Sequence, residues 1–367
     1  MSNAIAIPHI YIINLESRPD RLERMRRRLQ YHNLLSHSTI IKAVTTTDPV
    51  VEEYYGKAID INYRKSQANY ATIRSHIACF ASHLKALRQM IADNHEEAII
   101  LEDDAMLHNN FITKYQQCRA NANFAISVKS QITTIMLFYN IRGLNGVEAL
   151  CNYANKIGAW DGKNPKEKNL IRMFHDNIDL TTGYVISRKY AAECLIKYDK
   201  PFIEYEEQDK YIITSEFITK YSKGLLVHPA LVIEEPMVNS DMRVDDTCGE
   251  ITSECYGWNE YTAAETPSWR ALLEGRRLNK AEKHVEAFAI LSTIKLDELS
   301  SFHKYIFFNI ALVSYWYANK HNEGKELVYT LQKLYKNNVE LRKLVTANDI
   351  RILRNMRYFV GDIELIK

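Results

Sequence analysis

Glu102, Asp103 and Asp104 follow directly on the apolar run Ala98-Ile99-Ile100-Leu101. In a strand, alternate side chains share a face, so Glu102 and Asp104 are expected together with Asp103 opposed. Adjacent carboxylates repel one another unless a cation or hydrogen-bond donors compensate them. Hard divalent ions such as Mg²⁺ and Mn²⁺ favour carboxylate oxygens and commonly bridge to phosphates. Open α/β sheets bind ligands at the carboxyl ends of their strands. One reading is therefore a metal-diphosphate site. The other is a solvated acidic turn, and the acids alone do not decide between them.

The elements that would carry these acids are legible from periodicity. His9 to Leu15 reads as a buried strand. Ser17 reads as the N-cap of a helix with Pro19 and Asp20 in its first turn, running to Tyr31. Ser38 to Val44 is a second strand. Ile77, Phe80, Leu84, Leu87 and Ile91 recur at helical spacing. Beyond the acidic strand come a helix near Phe111 to Arg119, a strand over Thr133 to Tyr139, and a polar excursion over 141–178. Gly183 to Ser187 is a strand and Arg188 to Tyr198 a helix. Glu207 to Tyr221 reads as a helix, and Leu225 to Ile233 as a strand demoted to an edge by Pro229. Strands alternating with helices predict an α/β layer fold with parallel pairing.

From about Trp269 to Tyr358 the pattern is helical throughout, with breaks expected at Glu274-Gly275, at Asn319 to Asn322 and at Asn337-Asn338. About two helical hairpins are expected, tetratricopeptide-like in style but without a clean 34-residue period. The division is residues 1–265 for a catalytic domain and 266–367 for an all-helical appendage, a candidate for partner binding or homodimerisation.

Among the 367 residues, 46% hydrophobic and 25% charged content is ordinary for a globular chain. A net charge of +2 argues against a dedicated nucleic-acid binder. Cys79, Cys118, Cys151, Cys194, Cys248 and Cys255 form no CxxC pair, so no zinc ribbon or redox motif is expected. There is no secretory apolar region after Met1 and no run long enough to span a membrane, which points to a soluble intracellular or cytoplasmic protein. His76, Cys79 and His83 lie at i, i+3 and i+7 on one helix. A zinc site there ranks below a packed helix face, since no fourth ligand is evident. His228 is a minor metal candidate.

The order of motifs says more than any one of them. Tyr11-Ile12-Ile13-Asn14-Leu15 with Arg18-Pro19-Asp20-Arg21 opens the chain. Cys79-Phe80-Ala81-Ser82-His83, Leu101-Glu102-Asp103-Asp104, Gly183-Tyr184-Val185-Ile186-Ser187, Gln208-Asp209-Lys210-Tyr211-Ile212 and Asn239-Ser240-Asp241-Met242 follow. This ordered set, over Pro8 to Arg243, resembles the family 25 glycosyltransferases, which include lipooligosaccharide and procollagen galactosyltransferases. The resemblance implies a GT-A-like nucleotide-diphospho-sugar fold with a Rossmann-type sheet. It implies an inverting transfer of galactose or glucose from a UDP-sugar, with Mn²⁺ or Mg²⁺, to a glycan or hydroxylysine-type acceptor. By resemblance, Glu102 and Asp104 are metal ligands. Asn14, Leu15, Arg18, Arg21, Ser82, His83, Asp103, Gly183 and Tyr184 border the donor. An inverting transfer needs a base opposite the leaving group; Asp209 is the candidate, with Glu207 beside it. Arg24, Arg26, Arg27 and Arg28 read instead as a solvated basic face. Two departures, Ser75-His76 before Cys79 and Gln208 before Asp209, keep open a catalytically silent UDP-sugar-binding adaptor that uses the helical tail for partners. A carboxylate-pair glycoside hydrolase ranks last, because adjacent acids do not straddle a glycosidic bond.

Overall fold

The computed structural model describes residues 6–53, 70–126, 134–137, 140–141, 169–172, 178–179, 181–198, 218, 222, 224–228, 230–236, 258–347, 355–356 and 359. They fall into two compact units, Met1–Ala264 and Glu265–Lys367.

In the first unit, strands β1 (His9–Asn14), β2 (Ser38–Lys42), β3 (Glu97–Glu102), β5 (Thr134–Met136), β7 (Asn169–Arg172), β9 (Gly183–Ser187) and β10 (Gly224–His228) form one sheet. Its order is β2-β1-β3-β9-β5-β10-β7. The remaining strands pair in two small sheets: β4 (Ala105–Leu107) with β11 (Val232–Glu234), and β6 (Asn140–Ile141) with β8 (Ile178–Asp179). Helices α1 (Pro19–Tyr31), α2 (Tyr70–Ala92), α3 (Phe111–Ile126) and α4 (Arg188–Tyr198) connect the strands. Strands β1, β2 and β3 pair in parallel, and β5 with β10 likewise. Strand β9 runs antiparallel to both β3 and β5, and β7 antiparallel to β10. The α/β layer fold with parallel pairing expected from the alternation of elements is present, and β9 and β7 add antiparallel pairs to the same sheet.

Burial follows the strand pattern. Tyr11, Ile13, Ile100, Tyr184 and Ile186 share one core with Phe80, Leu84, Leu87 and Met90 of α2 and with Tyr190, Ala191 and Cys194 of α4. Ile10, Ile12, Ile99 and Val185, which alternate with them, are buried too, so these strands are apolar on both faces.

Three local expectations are corrected. Helix α1 is preceded by Arg18 as N-cap rather than Ser17, with no side-chain cap bond; Pro19 in the first turn and the Arg18 amide bonding Leu15 O set the entry. The single edge strand expected over 225–233 is two strands, of which β10 lies inside the sheet between β5 and β7. The acidic strand ends at Glu102, and Asp103-Asp104 form a turn into β4. Strand alternation therefore does not govern which way those two acids point.

The second unit contains α5 (Pro267–Lys280), α6 (His284–Leu291), α7 (Ser301–Tyr317), α8 (His321–Asn337) and α9 (Val339–Ala347). Thr266 Oγ1 caps α5 by accepting from Trp269 N, and Ser300 Oγ caps α7 by accepting from His303 N, both at 3.2 Å. Trp269 Nε1 donates to His303 Nε2 at 3.3 Å, tying α5 to α7. The break expected at Glu274-Gly275 is absent. Gly275 lies within α5 where a Cβ would meet Leu291 Cδ2 at 2.4 Å, so this glycine permits close helix approach instead of ending the helix.

Candidate functional site

The topology fixes where the acids lie. From β1 the chain goes outward to β2, then returns past β1 to β3 on its other side. The order reverses between β1 and β3, and open sheets bind ligands at such a point, beyond the carboxyl ends of the strands. Ile13 pairs with Glu102 in the parallel register, which brings Asn14 level with Asp103.

Asp103 is tied down from β1 and α1. Asn14 Nδ2 donates to its Oδ2 at 2.7 Å, and Arg21 Nη1 to its Oδ1 at 2.9 Å. Burial raises its pKa, opposed by Arg21 and Asn14. Arg21 also stands 3.5 Å from Asp104 Oδ2. Asp104 is a different case. Its Oδ1 is buried and meets no hydrogen-bond partner among the described residues. Burial, with Glu234, Glu102 and Asp103 adding repulsion, holds this carboxyl well above its usual range despite Arg21. A group held in that state gains most from a cation.

Glu102 closes the β3 end. Its amide donates to Thr182 O, and its Oε1 accepts from Thr181 Oγ1 at 2.8 Å, both across to the residues leading into β9. His83 of α2 is fully buried, with Nδ1 2.9 Å from the Tyr184 hydroxyl and Nε2 3.4 Å from Glu102 Oε1. Tyr184 has a phenol that burial keeps protonated. Gly183 faces Leu101 and Val232, where a Cβ would stand 3.1 Å from each. Ser82 joins α2 to the end of β2, accepting from Val44 N at 2.8 Å and donating to Ala78 O at 2.7 Å. Arg18 pairs with Asp20 at 3.1 Å, and Leu15 is half-buried against the core.

The structure thus gathers Asn14, Arg21, His83, Glu102, Asp103, Asp104 and Tyr184 around the β1 and β3 ends. Asp209, Glu207 and the segment Asn239 to Met242 lie outside the described residues, as does the His228 side chain.

Sequence reasoning missed a second acidic strand end. Glu234 and Glu235 follow the apolar run Leu231-Val232-Ile233, repeating the pattern at Glu102. Strand β11 pairs with β4, placing Glu234 opposite Ala105, and Glu235 N donates to Asp104 O at 2.8 Å. Arg28 Nη2 donates to Glu235 Oε2 at 2.6 Å, and Arg24 Nε reaches the same carboxylate at 3.1 Å. The solvated-face reading is therefore wrong for Arg24 and Arg28, which are buried. Arg26 is exposed as expected. Spacing held the signal: Arg21, Arg24 and Arg28 share a helical stripe with Met25 and Leu29.

The family model of glycosyltransferase family 25 (LPS biosynthesis protein) matches residues 7–212, more than half of the chain. The chain belongs to that family. The matched residues run from β1 through α4, so they include Asn14, the Glu102-Asp103-Asp104 turn and Gly183-Tyr184, while Glu234 and Glu235 lie beyond them. This family 25 chain is 23% identical over 307 residues to procollagen galactosyltransferase 2 of Homo sapiens, covering 76% of this chain and 43% of the relative. It is 22% identical over 304 residues to procollagen galactosyltransferase 2 of Mus musculus, with the same coverage. It spans less than half the length of these relatives. The chain carries the region that defines this glycosyltransferase family, and the mixed sheet with its reversal at β1/β3 suits the Rossmann-like fold the sequence implied. No helix among the described residues is long and apolar enough to cross a membrane.

Proposed function

We propose that this protein is a metal-dependent, inverting hexosyltransferase that moves galactose or glucose from a UDP-sugar to a hydroxyl of a glycan or of a procollagen-like protein. The observation that carries this reading is Asp104, a buried carboxylate at the sheet's reversal point with one oxygen that meets no hydrogen-bond partner among the described residues. The names of the relatives support galactose and a procollagen-type acceptor, and the family description supports a glycan.

The donor set fits a hard divalent ion. Asp104 and Glu102 offer carboxylate oxygens, and Glu234 adds negative charge beside them. When bound, Mn²⁺ or Mg²⁺ would supply charge neutralisation at the departing diphosphate. The chain's own residues prepare the site. Asn14 and Arg21 hold Asp103 so that the turn presents Asp104 rather than folding it away. Thr181 fixes one Glu102 oxygen. Arg24 and Arg28 anchor Glu235, which through its amide holds the Asp104 carbonyl. For the base that takes the acceptor hydroxyl's proton, Asp209 is the assignment, with Glu207 as its neighbour.

The test is UDP release from UDP-galactose, UDP-glucose and UDP-GlcNAc with Mn²⁺ and with EDTA, comparing wild type with Asp104→Asn. Chelator-sensitive release from a hexose donor, reduced at least about 100-fold in the variant at unchanged circular dichroism, is expected. Full turnover by Asp104→Asn would overturn the assignment.

A further inference from the structure

Cys79 and His83 are one turn apart on α2, so they share a face, and β3 delivers Glu102 to that face. The thiol sulfur, an imidazole nitrogen and a carboxylate oxygen of these three residues all lie within 4.8 Å of one another. We propose that Cys79, His83 and Glu102 form a Zn²⁺ site, separate from the oxygen-lined site at Asp104 but sharing Glu102 with it, through which zinc blocks donor turnover. The second effect rests on the reading of Glu102 given above; zinc binding itself does not.

One of the three ligand pairs already stands at the spacing zinc imposes. Two ligands about 2.0–2.1 Å from a tetrahedral ion stand roughly 3.3–3.4 Å apart. His83 Nε2 and Glu102 Oε1 are 3.4 Å apart. The far ring nitrogen of His83 is fixed by the Tyr184 hydroxyl at 2.9 Å, the kind of outer contact that orients a metal-bound histidine. The sulfur and imidazole select zinc over magnesium or manganese, which favour oxygen. Cys79 is half-buried and the Glu102 side chain is 24% exposed, so an ion can enter. Three protein ligands leave a fourth position to water, as in open zinc sites. With Glu102 engaged on α2, the hard-ion site loses one carboxylate. His76, the third residue of the helix-face triad weighed from sequence, is not part of the group.

Other described cysteines do not compete on this geometry. Cys118 and Cys194 are buried and are not members of the group, and burial pushes the Cys194 thiol up to about 12.

The experiment titrates Co²⁺, as a visible stand-in for zinc, and Zn²⁺ into the full chain, its Cys79→Ser variant and its His76→Ala variant. Wild type and His76→Ala are expected to bind one Co²⁺ with a thiolate charge-transfer band that Zn²⁺ abolishes by displacement. Cys79→Ser is expected to lose the band and to bind zinc at least about 10-fold more weakly. In Mn²⁺-supported UDP release, the same variant should keep its basal rate and be at least about 10-fold less sensitive to zinc. Absence of the band in wild type, or its persistence in Cys79→Ser, overturns the site. Chelator-sensitive UDP release without the band would sink the zinc site alone. The band without any UDP release would leave the zinc site standing and sink the donor assignment.

Discussion

Replacing Arg21 by Met keeps most of the aliphatic stem and removes the guanidinium that faces both turn acids. Arg21 Nη1 stands 2.9 Å from Asp103 and 3.5 Å from Asp104. At an effective permittivity of about 20, unit charges at these spacings attract by roughly 6 and 5 kcal/mol. Desolvating the arginine offsets several kcal/mol of that. The net loss on truncation should be about 3–5 kcal/mol, the usual consequence of orphaning a buried charge. That is a large share of the 5–15 kcal/mol typical of a folded domain, so urea denaturation should show it as a lower midpoint at unchanged slope. The diagnostic step adds Asp103→Asn. If the loss comes from orphaned acids, the double variant regains about 2 kcal/mol instead of losing more, and a double-mutant cycle gives a clear coupling energy. The pH dependence has a definite sign. Without Arg21 the folded-state pKa of both acids rises further above 3.8, so the folded chain binds protons the unfolded chain does not. The deficit should be largest at high pH and shrink as pH falls toward the unfolded value. A loss below about 1 kcal/mol, or strictly additive substitutions, would refute this account. Loss of turnover at full stability would instead assign Arg21 to the donor alone.

Two further outcomes are expected. Burial beside Phe111 lowers the His32 pKa to about 4 from 6.5, so the unfolded chain binds a proton that the folded chain refuses. Stability should therefore fall by up to about 3 kcal/mol as pH drops from about 6.5 to 4, and His32→Gln should flatten that part of the urea-midpoint profile. Gly275→Ala places a Cβ against the buried Leu291; overpacking of about 1–3 kcal/mol should outweigh the roughly 1 kcal/mol gained in helix propensity, and adding Leu291→Val should restore part of the midpoint.

Elements defined by local pattern were legible. The strand from Gly183 to Ser187 and the helix from Arg188 to Tyr198 lie where the sequence pattern put them, because a short apolar run and a helical stripe need no distant partner to be read. The direction of β9 was not legible, since its residues suit a parallel or an antiparallel slot equally. Nor was the interior place of β10. In the sequence Pro229 reads as the mark of an edge, whereas β10 lies inside the large sheet and β11 in a separate small one.

The arginines of α1 show why half of the site was hidden. A stripe of Arg21, Arg24 and Arg28 beside Met25 and Leu29 is a buried face only if counter-charges come from elsewhere in the chain. Glu235 supplies them to Arg24 and Arg28 from 211 and 207 positions away, a separation no local window spans. Once those pairs form, the charge balance around the turn is no longer even. Arg28 pairs with Glu235, Arg24 is divided between Glu235 and Asp20, and Arg21 is shared between Asp103 and Asp104. Burial leads in raising the Asp104 pKa, and the repulsion from Glu234 and Glu102 opposes the attraction of Arg21. An isolated acidic turn would shed that repulsion to water. Here the sheet end, α1 and the β4–β11 pair bury it. That burial supports the proposed reading of a site held ready for a cation.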